Sequence, residues 1–147
     1  MKTLRLLLFW ECNLTCSYCC NEIPEVREGI LPIRKEDIDF TQYDNVCLSG
    51  GEPFLRPELV FEMLEIIPND VYIYTNGIKI NKNIEEKLKS FNNLKGLNIG
   101  LYYPKTFNKL IGKLNDNPLV RFHAEDIYED KLKNEFPHST FKFWKRN

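Results

Sequence analysis

Four of the chain's five cysteines fall in the stretch CNLTCSYCC, residues 12–20. Thiols packed this closely ligate a metal, carry a redox reaction or pair as disulfides. Cys12, Cys16 and Cys19 are spaced C-x3-C-x2-C, which lets one loop wrap three thiolates around a single centre. A structural zinc site takes four protein ligands, commonly in paired knuckles, and no second knuckle follows. A ferredoxin supplies four thiolates to its cluster. Three thiolates leave one iron of a 4Fe-4S cluster without a protein ligand and therefore open to something else. On spacing alone, zinc and thiols without a common role stand as alternatives. Cys20 adjoins Cys19, and neighbouring cysteines rarely reach the same metal, so Cys20 is read as packing or at most a neighbour of the cluster. Cys47 lies in an apolar stretch and is read as a small buried hydrophobe.

Clustered cysteines fit a reducing compartment, where thiols serve metal or redox chemistry before disulfides, and a cytoplasmic location is expected. With 147 residues, 43% hydrophobic and 13% aromatic, the chain can bury a proper core as one domain, residues 1–147. Twenty basic and 21 acidic residues give a formal charge of -1, so no overall field favours nucleic acid or an anionic membrane. The opening MKTLRLLLFWEC has the early basic residues of a signal peptide. Its apolar run is too short, however, and Glu11 before Cys12 is a poor cleavage neighbour. No later segment approaches the ~20 apolar residues that span a membrane.

The elements that must position the cysteine loop alternate regularly. Residues 3–10 read as a buried-type strand that runs into the first cysteine, followed by a Pro- and Gly-containing segment with a weak helix over 34–42. Strands are expected at 45–49, 71–75, 96–103, 119–124 and 139–145, and helices at 57–67, 83–91, 105–114 and 125–136. Pro57 suits a first helical position, and Val60, Met63, Leu64 and Ile67 form one apolar stripe. Such alternation predicts an α/β fold, an open partial (β/α)6 barrel with a mostly parallel six-stranded sheet. Ligands of such sheets gather where the carboxyl ends of the strands emerge. The cysteines, Gly50 and Gly51, and the Asn76-Gly77 pair all fall at that edge.

CNLTCSYC, with an aromatic residue before its last cysteine, resembles the signature of the radical S-adenosylmethionine (SAM) superfamily. SGGEP, residues 49–53, resembles that family's second motif and closes the second strand, as it should. The resemblance covers residues 3 to about 103. It implies that Cys12, Cys16 and Cys19 hold a 4Fe-4S cluster whose open iron is chelated by the amino and carboxylate groups of SAM. It further implies that Gly50 and Gly51 allow close backbone approach, that Glu52 receives the methionine ammonium, that Pro53 stiffens the turn and that Tyr18 leans toward the adenine. Asn76 is placed to add a polar contact near the cofactor, or else to make an ordinary Asn-Gly turn. The implied reaction is one-electron cleavage of SAM to methionine and a 5'-deoxyadenosyl radical, which takes a hydrogen atom from the substrate. The electron would come from an external reductant such as flavodoxin or ferredoxin.

The sequence departs from the family pattern on the fourth strand, where Gly100 and Tyr102 stand in place of a ribose-contacting polar residue. Asn98 is a substitute if it faces inward. On the fifth strand Arg121 and His123 share a face and could reach the SAM carboxylate or the substrate. A strand histidine is also commonly a satisfied structural residue. An uncovered side of a six-unit sheet would need a partner protein or a large substrate over it, which suits an activase that installs a glycyl radical on a partner enzyme. Small-molecule relatives such as the 7-carboxy-7-deazaguanine synthases, and peptide-modifying enzymes, are the alternatives. Outside enzymology, a cluster- or zinc-binding scaffold and an electron carrier remain.

Overall fold

The structure is a computed structural model, and the residues described are 2–9 and 33–145. Six strands form one sheet: β1 Thr3–Leu7, β2 Asn45–Ser49, β3 Asp70–Thr75, β4 Leu94–Leu101, β5 Val120–Glu125 and β6 Phe141–Trp144. Their order is sequential, β1-β2-β3-β4-β5-β6, and every neighbouring pair is parallel. This is the singly wound arrangement expected of a partial (β/α) barrel, with β1 and β6 as its two edges. Sequential winding sends each crossover over the same face of the sheet.

Four α-helices lie among the described residues: α1 Pro57–Ile66, α2 Lys82–Lys89, α3 Pro104–Leu114 and α4 Glu129–Glu135. Each of the first three starts for a local reason. Pro57 and Pro104 open α1 and α3, where a missing N–H costs nothing, and the Asn81 side chain caps α2 by accepting from the Ile84 N–H at 2.9 Å. One contiguous core joins helix and strand. Val60 and Leu64 of α1, Leu88 of α2, and Phe107, Ile111 and Leu114 of α3 pack with Val46, Leu48, Ile73, Leu97, Ile99 and Phe122 of the strands. These side chains are at most 2% exposed. The intervening strand residues therefore point to the other, concave face.

Beyond shifts of a few residues at element ends, two expected helices differ in kind. The weak helix expected over 34–42 is replaced by two 3-10 turns, Lys35–Asp37 and Phe40–Gln42. The Asp39 carboxylate between them accepts from the Thr41 N–H at 3.1 Å, the Thr41 hydroxyl at 2.5 Å and the Gln42 amide at 3.2 Å. Such local capture favours a turn over a continued helix. The last helix is also divided, with a 3-10 turn Asp126–Tyr128 leading into α4. No helix among the described residues is long and apolar enough to cross a membrane.

Candidate functional site

The ladder between β1 and β2 continues past both strands. The Leu8 N–H donates to the Ser49 carbonyl at 3.0 Å, and the Gly51 N–H donates to the Phe9 carbonyl at 2.7 Å. Phe9, three residues before Cys12 in the sequence, thus stands directly beside the Gly-Gly turn. Gly50 has φ +151°, and a Cβ there would lie 2.7 Å from the Phe9 carbonyl oxygen. Only glycine allows this backbone and this approach. The Arg56 guanidinium lies over Phe9, 5.1 Å from its ring centroid.

Glu52 follows in extended conformation and caps the 3-10 turn Pro53–Leu55, with Pro53 in its first position. Its side chain is buried, 1% exposed. One carboxylate oxygen accepts from the Asn76 N–H at 2.8 Å and the other from the Phe54 N–H at 2.9 Å, while the Thr75 hydroxyl lies 2.8 and 2.7 Å from the two. Burial pushes the Glu52 carboxyl above its ordinary range. The Asn76 N–H, the Thr75 hydroxyl and the Phe54 N–H pull against it by favouring the ion. Since the hydroxyl has one proton, three donors reach a carboxylate with about four acceptor positions, and one position remains. Glu52 thus ties the end of β2 to the end of β3.

The end of β3 is held from two sides. Asn76 accepts the Ile78 N–H on its side-chain oxygen at 3.0 Å, which is the ordinary turn that its sequence allowed, while its backbone N–H serves Glu52. Gly77 has φ +75°, and a Cβ there would press on Ile99 at 2.9 Å. From α3, the Lys113 ammonium donates to the Gly77 and Ile78 carbonyls at 2.8 and 3.2 Å. Burial lowers the Lys113 pKa, with the Glu85 charge acting against that and Lys109 acting with it. Thr75 and Lys113 escaped the sequence reading. The YTNG stretch offered Thr75 beside Asn76, but nothing in the chain before α3 announces a lysine aimed back at this turn.

On the concave face, register places Tyr74 beside Asn98 and Asn98 beside Arg121. One level further along, Gly100 lies beside His123 and His123 beside Lys142. Asn98 does face inward. It is buried, and its side-chain oxygen has no hydrogen-bond partner among the described residues. The Tyr74 ring sits edge-on to His123, with centroids 5.9 Å apart, and the Arg5 guanidinium lies 5.2 Å from its centroid. Arg121 and His123 share this face, as the sequence indicated. The Tyr102 ring folds over Gly100, where a Cβ would lie 2.5 Å from it, so neither residue supplies a side chain at the Gly100 level other than that ring. Cys47 is buried on the same face. Desolvation raises its thiol pKa, opposed by Arg5, so it is a neutral thiol, as a packing residue should be.

The structure therefore brings Gly50, Gly51, Glu52, Pro53 and Asn76 together at one edge. Cys12, Cys16, Tyr18, Cys19 and Cys20 lie outside the described residues. Their segment follows Phe9, which stands beside this edge.

A family model described as the Radical SAM superfamily matches residues 11–122. The chain is 34% identical over 125 residues to a GTP 3',8-cyclase of Microcystis aeruginosa, covering 74% of this chain and 37% of that protein. It is 30% identical to a probable GTP 3',8-cyclase of Methanococcus aeolicus in an alignment of 147 residues, covering 90% and 48%. A 7-carboxy-7-deazaguanine synthase of Methanothermobacter thermautotrophicus is 35% identical over 78 residues, covering 47% and 31%. The chain thus spans about half or less of the length of these curated relatives.

Proposed function

The chain belongs to the radical SAM superfamily, and from that premise we propose that it is an enzyme whose SAM site runs along the carboxyl edges of β1 to β4 and whose substrate lies on the concave face. The family implies a 4Fe-4S cluster and SAM. The residues present fit both. Three thiols at C-x3-C-x2-C suit a cluster with one open iron, and Cys12, Cys16 and Cys19 would hold it. The observation that carries the SAM reading is the buried, unpartnered oxygen of Asn98 on the face between the Glu52 edge and Arg121. A buried acceptor without a donor costs about 1–3 kcal/mol, and a bound hydroxyl or amine would relieve that.

Each of this chain's own residues then has a task. Glu52 offers its remaining acceptor position to the SAM ammonium, while its three existing bonds keep the carboxylate in place. Gly50 and Gly51 bring backbone close to the same ligand, Pro53 fixes the turn, Asn98 accepts from the ribose, and Asn76 shapes the neighbouring turn. Tyr18, outside the described residues, is assigned to the adenine by the family resemblance alone. A cluster held by Cys12, Cys16 and Cys19 would supply one-electron reduction of SAM, the radical-generating chemistry that the family implies. The protein's contribution is to orient the ligands and keep water out. An external one-electron reductant of the flavodoxin or ferredoxin type supplies the electron, in a reducing cytoplasm.

The substrate is a small molecule in this reading, in preference to a partner protein carrying a glycyl radical site. The names of the relatives favour it, since GTP and 7-carboxy-7-deazaguanine share a guanine-type heterocycle. The first test is anaerobic reconstitution with iron and sulfide, reduction in the presence of SAM, and chromatography for 5'-deoxyadenosine. Formation that disappears in Cys16→Ala and falls in Glu52→Ala is the expected result. A reconstituted cluster with no deoxyadenosine under any of these conditions would refute the proposal.

A further inference from the structure

Parallel sheets are ordinarily covered by helices on both faces and read as nearly continuous apolar runs. Here β5 alternates instead. Val120, Phe122 and Ala124 are buried in the core, while Arg121 is exposed and His123 half-buried on the concave face. Lys142 of β6 is exposed beside His123. Neither Arg121 nor Lys142 has a carboxylate partner among the described residues. Glu125, next on that face toward the carboxyl edge, is buried opposite Trp144 and bridges to neither. Three basic side chains are thus gathered on one surface, and Glu125, the carboxylate next along that face, forms an ion pair with none of them. Within reach of the same surface are the Tyr74 ring, held edge-on by His123 and covered by Arg5, and the unpartnered Asn98 oxygen.

From this juxtaposition we infer that Arg121, His123 and Lys142 form an anion-binding subsite for the ionised group of a small substrate whose ring lies against Tyr74. The inference rests on the concave face being the substrate side of the SAM site. Charge complementarity selects the occupant. A phosphate or carboxylate would neutralise cations that otherwise repel one another, and Arg121 can engage either through two parallel N–H donors. The mutual repulsion leaves a trace on His123, whose pKa lies below its ordinary value because of burial, then of the nearby Lys142 and Arg121 charges. An anion would reverse the last two effects. A neutral ring compound would leave the cations unbalanced, and a nucleic acid or protein segment would need far more of the surface to be basic.

The test is equilibrium binding to the full, anaerobically reconstituted chain in the presence of SAM, with three probes. GTP carries phosphate, 7-carboxy-7-deazaguanine carries carboxylate, and guanosine carries neither. At least one anionic probe should bind roughly tenfold or more tighter than guanosine, since one charge-assisted contact accounts for that factor. This preference should shrink with added salt, vanish in Arg121→Gln and Lys142→Gln, and be partly restored in Arg121→Lys. Which anionic probe wins tells phosphate from carboxylate. Both altered residues are exposed, so the fold should survive, and the SAM-induced change in the cluster's spectrum serves as the check. Guanosine binding as tightly as both anionic probes, no binding of any probe, or an anion preference unchanged in the two Gln variants would overturn the inference. Loss of the SAM-induced spectral change in the unaltered protein would instead count against the proposed function, leaving the anion preference to be read on its own.

Discussion

Val46, Leu48, Ile73, Leu97 and Phe122 point to the helix-covered face of the sheet and are at most 1% exposed. The residues that alternate with them, among them Arg5, Tyr72, Tyr74, Asn98, Arg121 and His123, point to the concave face and are polar or aromatic. The same strands therefore serve two surfaces. On the first, burial of apolar area stabilises the fold, at roughly 25 cal/mol per Å². On the second, a buried acceptor has no donor and Arg121 and Lys142 form no ion pair among the described residues, arrangements that favour a bound ligand over a stable empty state. The Glu52 carboxylate sits where the two surfaces meet, at the carboxyl edge. Stability and ligand recognition in this chain are thus separable by a period of two residues.

The sharpest way to break that comparison is to delete mass from each surface and read stability. Phe122→Ala removes a fully buried ring that lies 5.9 Å from Phe141, and it should lower unfolding free energy by about 3–5 kcal/mol in urea denaturation. A loss under about 1 kcal/mol would mean that the helix-covered face is not the principal core. Glu52→Ala, at the junction, should cost about 2–3 kcal/mol, because the Asn76 and Phe54 N–H groups and the Thr75 hydroxyl lose their acceptor. It should weaken SAM binding as well. Weakened SAM binding at unchanged stability would separate the ligand role of Glu52 from its role in tying β2 to β3. The smallest change is expected on the concave face. Asn98→Leu should leave stability within about 1 kcal/mol or raise it, since it removes an unpartnered buried oxygen, yet it should weaken SAM or substrate binding several-fold. A large destabilisation would show that Asn98 belongs to the core.

Much of this division could be read in the sequence, for reasons that differ by residue. The sheet was legible because each strand is short and apolar at alternate positions, and several are closed by a glycine pair, an Asn-Gly or a helix-starting proline. Gly50 and Gly51 announced a backbone constraint, and at Gly50 that constraint is the positive φ against Phe9. Glu52 was legible as a site residue only through its motif, and its three internal donors were not, because Thr75 and Asn76 reach it across 23 and 24 residues of chain. The Lys113 clamp on the Gly77 turn was invisible for the same reason, at a separation of 36 residues. Residues 34–42 failed as a helix because Asp39 bonds its own neighbours, a competition that periodicity does not register. Arg121 and His123 were placed on one face correctly, but their company, Lys142 and the Tyr74 ring, depends on strand register. Cys12, Cys16 and Cys19 remain assigned by spacing and family, outside the described residues.

The proposed SAM site depends above all on an iron that SAM can reach, so the most direct measurement is the electron paramagnetic resonance spectrum of the reduced, reconstituted cluster before and after SAM is added. A cluster held by Cys12, Cys16 and Cys19 alone should show a clear change in its signal on SAM binding, and the change should be absent or reduced in Glu52→Ala. A reduced 4Fe-4S signal that SAM leaves untouched would mean that the fourth iron is already ligated, and it would contradict the open iron on which the proposed chemistry depends.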